Sequence, residues 1–341
     1  MAADTSFRYE RISPKAYEHP ADRAATSALL SIPLMDKVIK RLTDLAHERR
    51  LRQILVGNSV RVGETQIPAL WSDYSKCGYV LDIDPLPELY VTQTPLANAL
   101  TVGAKRPLVI VQSGLVSSYE KQEVKTVLAH ELGHVLSEHY YFTTVLVLLS
   151  RFVKGTLPSS LIGLPVRALY AALLEWARAA ELSCDRASAL VMGDPLITCG
   201  VLMRIAGGAI EGMSLDAFIT QATEYEDEDD LFARWSRAWV EFGLTHPFAV
   251  RRVRELVAWV SSGEYDRIRG GNYVKRGEEP PPSAQFDAAA EHYRERFTRM
   301  LERASGGAQR LVGQFDDWLR GRGREDAGPN DPDDESDDLD E

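Results

Sequence analysis

Residues 127–139 read Val-Leu-Ala-His-Glu-Leu-Gly-His-Val-Leu-Ser-Glu-His. Around this stretch Val124, Val127, Leu128, Val135 and Leu136 recur at helical spacing and form a buried stripe. Residues four apart on a helix stack on one face, so His130 and His134 can aim both imidazoles at one point. Two imidazoles at that spacing are donors for one zinc ion, and Glu131 points beside the ion, not at it. From there a carboxylate can take a proton from a metal-activated water and pass it to a leaving group.

A catalytic zinc needs a third protein ligand and one open position. The metzincin pattern would place Gly at 137 and His at 140, but the chain has Ser137 and Tyr140, which excludes that class. A second helix, expected over about 166–192, offers Glu181-Leu-Ser-Cys-Asp185. Glu181 is the expected carboxylate ligand. Asp185, one turn on, is placed to accept the free ring N–H of a ligating histidine.

Outward from the motif, residues 22–56 read as helix with a break at Pro33. The segments 79–83, 89–91 and 108–112 are β-rich and separated by Pro and Gly, which predicts a small sheet. Ser117 with Glu120 has the form of a capping box opening the motif helix, which is expected to run to about His139. Helix returns over 234–261, with an interruption at 243–247, and 284–320 reads as two amphipathic helices broken at Gly306-Gly307.

The chain has 341 residues, 45% hydrophobic and 26% charged, enough for a real core. Its formal charge is −11, but residues 325–341 carry ten Asp and Glu and no Lys or Arg, leaving a nearly neutral body. Such a body gives no electrostatic case for nucleic acid. Three cysteines, Cys77, Cys184 and Cys199, imply no disulfide framework, and with a polar start they point to a reducing cytoplasm. Two apolar stretches lie within 141–174. One is too short for a bilayer and the other carries Arg167, Pro165 and Gly163. They read as buried or interfacial helices in preference to a membrane contact. The acidic segment 224–230 reads as a solvated loop.

Taken together, the motifs resemble the M48 family of metallopeptidases, the Ste24/HtpX-like gluzincins, and especially their soluble bacterial type. The likeness rests on residues 98–103 (Asn-Ala-Leu-Thr-Val-Gly), 109–115, 127–139, 181–190 (Glu-Leu-Ser-Cys-Asp-Arg-Ala-Ser-Ala-Leu) and 245–253 (Thr-His-Pro-Phe-Ala-Val-Arg-Arg-Val). It implies a zinc-dependent endopeptidase of α+β, mainly α fold, with a small sheet beside the active-site helix and one zinc per chain. It further implies that Asn98 and Ala99 begin a sheet edge that pairs with polypeptide substrate. His246 would stand near the open zinc position, as resting ligand or oxyanion donor, and Arg252 would pair with Asp185. Cys184 departs from the small residue usual before the Asp, and is expected to pack, not to ligate.

The expected organisation is an N-terminal helical region over 1–77, a metallopeptidase domain over 78–262, amphipathic helices over 263–321 and a disordered acidic tail over 322–341. Against an active peptidase stands an inactive, chaperone-like polypeptide-binding module. The intact Glu131 and the full ligand set argue against it. No signal for oligomeric state is present.

Overall fold

A computed structural model describes residues 7–32, 35, 52–53, 56–154, 164–208, 210–225, 248–279, 290–295 and 297–299. The chain is mainly helical with one small sheet, an α+β fold. Helix α1 spans Pro20–Leu30 and α2 spans Pro68–Val80. Four strands, β1 (Ser59–Arg61), β2 (Glu88–Thr92), β3 (Ala99–Val102) and β4 (Leu108–Gln112), form a sheet in the order β1-β2-β4-β3. The outer pairs are antiparallel, and β2 and β4 run parallel. Among the described residues strand β3 is therefore an edge.

After β4 come α3 (Ser113–Ser118), α4 (Lys121–Leu136), α5 (Tyr140–Lys154) and α6 (Leu164–Met192). Helices α7 (Pro195–Gly207), α8 (Leu215–Glu224), α9 (Ala249–Ser261) and α10 (Glu264–Arg269) follow.

Helix α4 carries the His-Glu-Leu-Gly-His motif, and its ends explain its placement. Glu120 caps the helix and Glu123 reaches back to the Glu120 N–H at 2.7 Å, a reciprocal box of two carboxylates at the positive end of the helix dipole. The box lies three residues beyond the expected Ser117–Glu120 pair. Ser117 instead belongs to α3, where its hydroxyl donates to the Gly114 carbonyl.

The other end stops at Leu136, short of His139. Glu138 takes a left-handed conformation (φ 56°), Glu138 N–H donates to Val135 O and His139 N–H to His134 O. This is a Schellman motif with Glu where Gly is usual, and the left-handed residue costs about 1–2 kcal/mol. It turns the chain so that His139 comes back over the last turn of α4.

One face of the sheet, α2 and α4 share a core containing Leu89, Val109, Val111, Leu128 and Leu132. Burying each such side chain stabilises by about 1.5–3 kcal/mol. The expected strand at 79–83 is not one. Tyr79 and Val80 end α2, because Leu70, Tyr74, Cys77 and Leu81 are buried at helical spacing.

A second core joins α1, α5 and α6 around Trp176. It buries Phe142, Val145, Leu146, Leu148 and Leu149 of α5, and Phe297. Among the described residues no helix is long and apolar enough to cross a membrane. A third core packs Tyr9, Ile12 and Tyr17 on α6, α7, α9 and α10. Of the segment 284–320, residues 290–295 and 297–299 are described and are helical. The acidic loop beyond 225 and the tail lie outside the described residues.

Candidate metal centre

Helices α4 and α6 cross with little between them. A Cβ on Gly133 would stand 2.9 Å from the Ala187 Cβ and 3.2 Å from the Cys184 Cα. The glycine inside the motif thus lets α6 approach closely enough for Glu181 to face both histidines. His130 Nε2 lies 3.3 Å from Glu181 Oε2, and His134 Nε2 lies 3.4 Å from Glu181 Oε1. All three side chains are buried. With Zn–N and Zn–O bonds of about 2.0–2.1 Å, tetrahedral ligands stand about 3.3–3.4 Å apart. The donor set, two imidazoles and a carboxylate, fits zinc in chemistry and in spacing.

The Nδ1 edges of the two rings face outward to separate partners. His130 Nδ1 is 3.2 Å from Asp185 Oδ1. Arg252, on α9, donates from Nε to Asp185 Oδ2 at 2.7 Å and from Nη2 to Oδ1 at 2.6 Å, while its Nη1 lies 3.1 Å from Glu181 Oε2. His134 Nδ1 is 3.1 Å from His139 Nδ1, and His139 Nε2 is 3.0 Å from Asp22 Oδ2.

Cys184 belongs to this outer layer. His130, His134 and Cys184 bring ligand atoms within 4.8 Å of one another. Its Sγ sits 3.6 Å from His139 Nδ1, whereas Glu181 brings one oxygen to each of the two Nε2 atoms, at 3.3 and 3.4 Å.

Glu131 lies beside this group, buried, with Thr101 of β3 donating to its Oε2 at 2.6 Å. The sheet edge therefore holds the carboxylate in place.

Protein charges act strongly here. Burial pulls the His130 imidazole down, but Glu181 and Asp185 outweigh it and raise its pKa to about 9. Burial lowers His134, against the opposing pull of Glu181. Burial raises Asp185, yet Arg252 and His130 hold it below the usual carboxylate range. Asp185 and Glu181 keep Arg252 above its ordinary value despite its burial.

Two clefts meet at the group. One runs between α3, α4 and α7, lined by Leu115, Val127, Val201 and Leu202. The other runs between α5 and α6, lined by Leu146, Val147 and Trp176. Both share Asn98, Ala99, Glu131 and Glu181.

The model of peptidase family M48 matches residues 78–260, more than half of the chain. The chain belongs to peptidase family M48. It is similar to "Plastoglobule-localized metallopeptidase 48, chloroplastic" of Arabidopsis thaliana, at 34% identity over 259 residues covering 74% of each protein. It is also similar to "Protease HtpX homolog 2" of Methanosarcina acetivorans and of Methanosarcina mazei, at 25% and 24% identity over 57% of this chain and 74% of each relative. No solved structure matches it.

As an M48 peptidase the chain is a peptide hydrolase with a metal cofactor and polypeptide substrates. Of the site residues expected from sequence, the structure brings His130, Glu131, His134, Glu181, Asp185 and Arg252 together, and sets Ala99 at the start of the edge strand β3 with Asn98 just before it. His246 lies outside the described residues. His139, Asp22 and Thr101 were not singled out by sequence. The spacing of His139, five residues past His134, was a signal, but its use depends on the Schellman turn. Nothing local to Asp22, 117 residues away, points to it.

Proposed function

We propose that this M48 peptidase is an endopeptidase holding one zinc through His130, His134 and Glu181, with Glu131 as general base. The observation that carries the reading is the approach of Glu181 to both Nε2 atoms at 3.3 and 3.4 Å. Zinc supplies Lewis acidity there, polarising the scissile carbonyl and acidifying the attacking water.

The chain's own residues do the rest. Glu131, steadied by Thr101, takes the proton of that water and returns it to the leaving amine. Asp185, held by Arg252, accepts the His130 Nδ1 proton and fixes the ring's orientation. Strand β3 offers its outer edge, beginning at Asn98 and Ala99, to an extended substrate backbone. Side chains flanking the scissile bond then enter the two apolar clefts, favouring apolar residues on both sides. His246 is assigned to the open position, as resting ligand or oxyanion donor, on the family likeness of Thr245-His246-Pro247. A cytoplasmic location accompanies this reading, supported by cysteines that are free and buried.

The test is metal analysis of purified protein together with casein and peptide-library cleavage. One zinc per chain with endoproteolytic products is the expected result. Zinc without cleavage, alongside binding of unfolded polypeptide, would favour a chaperone-like module instead.

A further inference from the structure

We infer that Asp22, on α1, positions His134 through His139, so that the N-terminal helix takes part in holding the metal site. The inference rests on the proposed reading of His134 as a metal ligand. With its Nε2 facing Glu181 and given to the metal, a neutral His134 carries its proton on Nδ1. That proton points at His139 Nδ1, 3.1 Å away, which must accept it. His139 therefore carries its own proton on Nε2, where Asp22 Oδ2 accepts it at 3.0 Å.

Each contact in the line has one consistent donor and one acceptor. Cys184 Sγ lies 3.6 Å from the same His139 Nδ1, whose single lone pair is taken by His134. The two metal-facing histidines thus end in separate buried carboxylates: His130 directly on Asp185, His134 through a second imidazole on Asp22.

Asp22 is built for this place. It is 1% exposed, and Ser183 Oγ donates to its Oδ2 at 2.6 Å while Thr26 Oγ1 donates to its Oδ1 at 3.2 Å. Ser183 Oγ is itself held by the His19 N–H at 2.9 Å, and Thr26 accepts from the Trp176 indole at 2.9 Å. The His139 ring is packed edge-to-face against Trp176. Glu18, Asp22 and His139 also bring ligand atoms within 4.8 Å of one another. The three donors already on Asp22 make this a hydrogen-bonded cluster and not a second ion site. Outer partners of ligating histidines fix the tautomer and ring angle, and their loss costs about 10- to 100-fold in metal affinity.

The experiment compares Asp22→Leu and Asp22→Asn, which both keep the branched outline of the aspartate side chain and of which only asparagine can accept the His139 Nε2–H. Zinc affinity is measured by chelator competition, with His134→Ala as the reference for the site itself. Asp22→Leu is expected to weaken zinc binding about 10- to 100-fold, and Asp22→Asn to stay within about threefold of wild type. Equal affinities in the two variants would overturn the relay.

Unchanged zinc affinity in His134→Ala would instead overturn the metal-site reading. Should Asp22→Leu fail to fold, histidine-ring 15N NMR of the zinc-loaded wild-type protein decides. A proton on His139 Nε2 alone supports the inference, and one on Nδ1, or on both nitrogens, refutes it.

Discussion

Arg252 grips Asp185 through two nitrogens, Nε to Oδ2 at 2.7 Å and Nη2 to Oδ1 at 2.6 Å, with both side chains nearly inaccessible to water. A fork-to-fork pair of this kind fixes the carboxylate in one plane, and that plane presents Oδ1 to His130 Nδ1. The pair joins α9 to α6, so a helix far along the chain sets the angle of an imidazole on α4.

Removing the guanidinium leaves Asp185 and Glu181 buried near each other with less compensation. Arg252→Ala is therefore expected to destabilise the fold by about 3–5 kcal/mol. Urea unfolding of the two proteins checks this. Loss of under 1 kcal/mol would mean that the pair is dispensable to the fold.

Gly133 is where helix packing and metal geometry meet. Gly133→Ala puts a methyl group 2.9 Å from the Ala187 Cβ, so α6 must shift by a few tenths of an ångström. The expected outcome is a loss of about 1–3 kcal/mol from overpacking, together with weaker zinc binding, because Glu181 moves with α6. Calorimetry and chelator competition read the two effects separately. Unchanged zinc affinity would show that the Glu181 approach tolerates the shift.

Asp82 supplies a pH dependence away from the metal. It accepts from the Arg8 side chain, from the Arg11 backbone N–H and from Arg276 Nη2, tying the N-terminal strap to the chain after α10. Burial pushes its carboxyl up, but these donors win and its folded pKa lies below the ordinary value of 3.8. A depressed carboxyl contributes stability that is present above the unfolded pKa and is lost as pH falls through the folded one. Asp82→Asn should thus be less stable than wild type at neutral pH, and the gap should narrow on acidification below about pH 4. Unfolding free energies from pH 2 to 7 test it, and a gap that is constant or widens in acid would contradict the assignment.

Much of this was legible in the sequence because helical spacing is a strong local signal. His130 and His134 share a face of α4 by periodicity alone, and Glu181 and Asp185 share a face of α6 for the same reason. That β3 is the edge follows from a sheet order of β1-β2-β4-β3, which no single segment encodes. The 79–83 segment misled because aromatic and β-branched residues suit the end of a buried helix as well as a strand. The capping box was misplaced because Glu120 caps its helix with a carboxylate where serine was expected. Asp22 and Thr101 reach the site only through tertiary packing, and a left-handed Glu138 gives no compositional sign of the turn that brings His139 back.

The central claim, that Glu131 moves the proton in a zinc-dependent hydrolysis, is tested most directly by Glu131→Gln. The variant keeps the Thr101 contact and leaves His130, His134 and Glu181 untouched, so zinc content should stay at one per chain. Turnover of a casein or peptide substrate should fall about 10²- to 10⁴-fold, because the proton acceptor is gone. A zinc-loaded Glu131→Gln protein cleaving at the wild-type rate would contradict the account.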